Sequence, residues 1–156
     1  MDIVELQGTP GNRLGHLGPL LVVVANTNPD LEDLDAVAVA QRQLIATYGY
    51  FAMALFSMKT PRASGPEVLD RIRRNEEELR GKSLGTVMVV LQRGLAASLS
   101  RTFMAATTLV ASNPTYVEKN IEEAADKVKA MQGMPPEITG DADLVTKLTA
   151  FIAGAK

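Results

Sequence analysis

Leu20-Leu21-Val22-Val23-Val24-Ala25-Asn26-Thr27-Asn28-Pro29-Asp30 is the stretch that decides the fold. An unbroken aliphatic run rich in β-branched valine, with no polar residue alternating through it, reads as a strand covered on both faces, and its natural place is inside a helix-covered sheet. Asn28-Pro29-Asp30 then reads as a helix start. Asn28 can cap the free amides, Pro29 fits the first turn without losing a needed donor, and Asp30 complements the helix dipole. Leu31, Leu34, Val37, Ala38, Leu44, Ile45 and Tyr48 continue at helical spacing, and Gly49 supplies the left-handed stop.

Working outward, Ile3, Val4 and Leu6 precede the turn-forming Thr9-Pro10-Gly11-Asn12, which predicts a short first strand, a turn, and a second strand ending in Leu20 to Val24. Tyr50 to Phe56 is a third strand, closed by Lys59-Thr60-Pro61-Arg62. Ser64-Gly65-Pro66-Glu67 has the form of a capping box, with Val68, Leu69, Ile72 and Leu79 expected on the buried face of the second helix. Thr86 to Leu91 is the fourth strand. Leu95, Leu99, Phe103, Ala106 and Val110 predict a third amphipathic helix, Tyr116 and Val117 a short fifth strand, and Asn120 with Glu123 the cap of a fourth helix.

Gly133-Met134-Pro135-Pro136 breaks the chain, and Leu144, Val145, Leu148, Phe151 and Ile152 predict a terminal helix. The expected order is β-β-α-β-α-β-α-β-α-α. That alternation implies an α/β fold with a four- to five-stranded, mostly parallel sheet, flanking helices and an extra C-terminal helix.

The length of 156 residues suits one domain, and 46% hydrophobic with 22% charged residues is an ordinary globular composition. A net charge of −2 offers no broad attraction for a polyanion, so nucleic acid is not an expected partner. The absence of cysteine excludes disulfides, thiolate catalysis and cysteine-ligated metals. The acidic N-terminus Met1-Asp2-Ile3-Val4-Glu5-Leu6 does not resemble a secretory signal, and the apolar run from Leu20 to Ala25 is far too short to span a bilayer. A cytoplasmic chain without membrane insertion is the expectation.

The element order, with the Tyr50-to-Ser57 strand leading through a short loop into Ser64-Gly65 and a helix, resembles the STAS superfamily of sulfate-transporter domains and anti-sigma-factor antagonists. The resemblance spans Met1 to Met131 and rests on arrangement and hydrophobic pattern; residues 132–156 form an extension to the same domain. Antagonists of that family carry Asp-Ser-Ser-Gly in this loop, and a partner kinase phosphorylates the first serine. Here the matching residues are Arg62-Ala63-Ser64-Gly65, so Ala63 stands at the modified position and Arg62 replaces the acid. The resemblance therefore implies a protein-docking loop and helix without the phosphorylation switch.

Two candidate sites follow. The first is a partner-binding surface of Pro61, Arg62, Ser64, Gly65, Arg71 and Arg74, facing a protein partner or a second copy in a homo-oligomer. Ser64 is explained as a helix cap, and Arg71, Arg73, Arg74 and Arg80 as a charged face interleaved with Glu76, Glu77 and Glu78. The second is a pocket for an anionic or apolar small molecule at the carboxyl ends of strands, with Arg62, Gln92, Arg93 and Gly94 as its residues. His16, the single histidine, reads as structural, and Met53, Met58, Met88, Met104, Met131 and Met134 as core filler. No nucleophile with its base, no metal-ligand cluster and no cofactor motif is present in sequence, so neither catalysis nor a cofactor is expected. An enzyme assembled from residues distant in sequence stays open.

Overall fold

The computed structural model describes residues 1–59, 65–92, 94 and 113–154. In chain order these form β1 (Val4–Leu6), β2 (Asn12–Leu17), β3 (Leu20–Ala25), α1 (Leu31–Tyr48), β4 (Phe51–Ser57), α2 (Pro66–Glu78), β5 (Ser83–Val90) and β6 (Thr115–Glu118). They end with α3 (Ile121–Ala130), α4 (Pro136–Thr139) and α5 (Leu144–Ile152). The amphipathic helix expected over Leu95 to Val110 lies outside the described residues.

The fold is α/β, but the sheet is larger than expected and mixed. Its six strands lie in chain order, β1-β2-β3-β4-β5-β6. β1, β2 and β3 pair antiparallel, whereas β3 to β6 run parallel. The extra strand arises because Asn12–Leu17 and Leu20–Ala25 are two arms of a hairpin, with Leu17 opposite Leu20 across the two-residue Gly18-Pro19 turn. Sequence reading had merged them into one second strand. His16 Nδ1 lies 3.0 Å from the Gly18 carbonyl, a contact that requires the proton on that nitrogen and makes the histidine part of the turn.

Strand alternation divides the core between the two faces. Leu20, Val22, Val24, Ala52, Ala54, Phe56, Val87 and Val89 point to one side and pack with Ala124, Val128, Ile138, Leu144 and Leu148 of α3 to α5. Leu21, Val23 and Phe51 point to the other and meet Ala40 and Leu44 of α1. β3 is therefore covered on both faces, as its composition requires.

α1 begins two residues later than expected. Asp30, not Asn28, is the N-cap: its Oδ1 accepts the Asp33 amide at 2.9 Å, and Asp33 Oδ2 accepts the Asp30 amide at 3.1 Å. This reciprocal pair satisfies two of the free donors of the first turn. The helix stops at Gly49, whose φ of 87° is the left-handed conformation expected of it.

α2 departs further from expectation. Its N-cap is Gly65, with no side-chain hydrogen bond, and Pro66 occupies the first helical position; Ser64 of the expected capping box lies outside the described residues. None of its residues is buried, and Leu69 is 49% exposed. Of the apolar residues expected on its inner face, only Leu79 at its C-cap reaches the core. α2 lies against α1 rather than in the sheet's cover.

The C-terminal residues pack against β2. Phe151 packs on Gly15 of β2 so closely that a Cβ there would sit 2.8 Å from its ring. Arg13 stacks over the same ring at 4.4 Å from the centroid and donates to the Phe151 carbonyl. Lys147 donates to Asp141 at 2.7 Å and closes the corner between α4 and α5. That hydrogen bond holds the Asp141 carboxyl below, and the Lys147 ammonium above, its ordinary pKa. Among the described residues no helix is long and apolar enough to cross a membrane.

Candidate functional site

Of the six residues expected to bind a partner, Pro61, Arg62 and Ser64 lie outside the described residues, as does Arg93 of the expected ligand pocket. The remainder occupy two places. Gly65, Arg71 and Arg74 belong to α2 and its cap; Gln92 and Gly94 follow β5.

Arg71 reaches across to Asp35 on α1, Arg42 of α1 engages Glu78 with two hydrogen bonds of 3.1 and 3.3 Å, and Arg74 pairs with Asp70 one turn earlier at 2.9 Å. Arg80 pairs with Glu77 at 2.7 Å. The charged face is thus a ladder of pairs, some within α2 and some between helices. Arg73, Arg74, Glu77 and Glu78 line a shallow open depression on it. Leu69 adds an exposed apolar side chain to the same helix.

The second place is an open cleft. β3 and β4 lead to helices on the α1 side, whereas β6 leads into α3 on the opposite side. Ligands of open α/β sheets often bind at the carboxyl ends of parallel strands. A cleft of ≈ 430 Å³ lies at the ends of β5 and β6, bounded by Leu91, Gln92 and Gly94 on one side and Lys119, Asn120 and Glu122 on the other. The residues from the β6–α3 junction were missed because in sequence they carry only a cap signal. Asn120 does cap α3, its Oδ1 accepting the Glu123 amide at 2.8 Å, and Glu123 accepts the Lys119 amide at 3.1 Å. The groups there that would meet an anion are therefore partly used by the helix itself.

Sequence reading also passed over a polar corner at the start of α1. Asp33, 3% exposed, accepts a hydrogen bond from the Thr9 hydroxyl in addition to its capping-box bond, and a Cβ at the adjoining Gly11 would lie 2.6 Å from Thr27 Oγ1 and 3.2 Å from both Asp33 oxygens. Asn12 is buried beside it in the chain, and its Oδ1 has no hydrogen-bond partner among the described residues. Both Asp33 oxygens are engaged, so the corner fastens the Thr9–Asn12 turn to α1. Among the described residues no three histidine, aspartate or glutamate side chains converge to hold a metal ion.

No protein-family model matches the chain, and no curated protein matches it in sequence.

Proposed function

We propose that this chain is a non-catalytic, STAS-like interaction module that docks a protein partner through α2 and the residues leading into it. One observation carries the reading: a 13-residue helix with the apolar spacing of a core helix contributes no buried side chain to its own fold. Such a helix leaves Leu69, Arg71, Arg73 and Arg74 on the surface, with an apolar centre and a charged rim of the kind protein interfaces use. The departure at Ala63 from the family's serine favours constitutive docking over a phosphorylation switch.

The test is capture of partners from the host with the full chain, compared with a Leu69→Asp, Arg71→Glu, Arg74→Glu variant. A specific partner retained by the first and lost by the second supports α2 as the surface. Equal retention moves the interface elsewhere. Light scattering on both proteins distinguishes a second copy of the chain from a different partner.

The cleft at the ends of β5 and β6 favours a second reading, a carrier or sensor of a small molecule, because Gln92 and Gly94 do line a concavity. Native mass spectrometry of the protein from its own host separates the two. A retained small molecule lost on Gly94→Trp supports the carrier; a bare chain that binds protein supports the module.

A further inference from the structure

The contacts that hold α2 in place are of a different kind from those that hold the other long helices among the described residues. α1 and α3 each send alanine, valine or leucine side chains into a core cluster, and α5 adds leucine and phenylalanine. α2 sends none, and Leu79 at its C-cap is its single anchor in the α1 cluster. Between the helices stand two ion pairs, Arg71 with Asp35 near the start of α2 and Glu78 with Arg42 at its end. Their side chains are 35–59% exposed, so water and salt reach both pairs. The Asp70–Arg74 and Glu77–Arg80 pairs lie within α2 and its C-cap, and they stabilise the helix without tying it to anything else.

From this we infer that α2 is an electrostatically latched element: it swings away from α1 as a unit about Leu79, in a salt-dependent equilibrium, while the sheet and the other helices stay folded. Exposed ion pairs contribute little and are screened within a few ångströms at high ionic strength, whereas apolar burial is indifferent to such screening. An element fastened by the first, with Leu79 buried at its C-cap and Val68 and Ile72 only half-buried, belongs to the low-stability end of a native structure. Opening exposes Val68 and Ile72, the half-buried apolar residues of the helix, and frees Arg71 and Arg42 from their partners. The inference concerns the isolated chain and holds whether or not α2 docks a partner.

Hydrogen exchange read by mass spectrometry on the full chain tests it, at about 20 mM and about 500 mM sodium chloride. Amides of residues 66–78 are expected to exchange at least tenfold faster than those of α1, and their opening to increase roughly threefold to tenfold with salt while α1 and α3 do not change. Asp35→Arg, which disturbs only the inter-helix pair, should reproduce the high-salt behaviour at low salt, and adding Arg71→Asp should restore protection. Protection of α2 equal to that of α1 overturns the latch. So does rapid exchange that neither salt nor Asp35→Arg alters, which would mean ordinary fraying, and so does a charge-swapped double variant that stays open.

Discussion

Gly15→Ala is the sharpest probe of whether the C-terminal extension belongs to the domain. Gly15 lies in β2 opposite Val22, in a strand whose backbone any residue adopts. Only space forbids a side chain there. A Cβ would lie 2.8 Å from Cε1 and Cζ of Phe151 and 2.8 Å from Cγ2 of Ile3. Phe151 cannot retreat easily, because its carbonyl accepts from Arg13, its ring lies under the same guanidinium, and it is 7% exposed in the core cluster with Leu144 and Leu148. Overpacking of this kind costs about 1–3 kcal/mol. For a chain of this size that lowers the melting temperature by roughly 3–10 °C.

A second substitution sharpens the test. Phe151→Ala alone costs about 3–5 kcal/mol by cavity formation. In that background the clash at Gly15 reduces to Ile3, a half-buried residue near the chain start, and Gly15→Ala should cost under about 0.5 kcal/mol or turn slightly stabilising. The expected coupling is therefore at least about 1 kcal/mol, well above the additivity error of distant sites. Phe151→Leu provides a milder background with the same sign. Urea unfolding followed by circular dichroism measures every protein of both cycles. If Gly15→Ala is as stable as the parent and the double variant is additive, α5 does not rest on β2 and the argument fails.

Other outcomes follow from the same geometry. Asp33→Ala removes the acceptor of both the Thr9 hydroxyl and the Asp30 amide, so the urea midpoint should fall by an amount equivalent to about 1–2 kcal/mol with an unchanged slope. Lys147 holds the Asp141 carboxyl below the ordinary aspartate value of 3.8, so the pair's contribution is complete above that pH and disappears as pH falls through the lower folded value. Asp141→Asn should accordingly flatten the acid limb of a melting-temperature profile below about pH 4, and leave the neutral-to-acid difference of the parent larger than its own. Leu148→Ala, at a position with 0% exposure, should cost about 2–5 kcal/mol, whereas Leu69→Ala, 49% exposed on α2, should cost less than about 1 kcal/mol in the same unfolding assay.

What could be read from sequence divides along the distance between cause and effect. β3 was legible because an apolar run needs no partner to announce that both its faces are covered, and Gly49 and Asn120 because caps act within one turn. The β2–β3 hairpin was not. Gly15-His16-Leu17-Gly18 lacks a strand's alternation partly because Gly15 must be small beneath Phe151, and the neighbouring Arg13 meets that residue 138 positions along the chain. Asn28 looked the better cap until Thr9, 24 residues upstream, chose Asp33 and with it the Asp30 register. For the candidate site, Arg71 and Arg74 were recognisable as charge and Gln92 and Gly94 as a strand exit, but periodicity could not show that Val68, Leu69 and Ile72 lack a core to enter. A repeat of 3.6 marks which side of a helix is apolar and says nothing of what lies against it. On α1 and α5 that side meets the sheet, and the chain's own packing accounts for the pattern. On α2 it reaches no core cluster: Val68 and Ile72 are half-buried and Leu69 stays exposed, and that exposed side chain is the best reason to look for a partner at that helix.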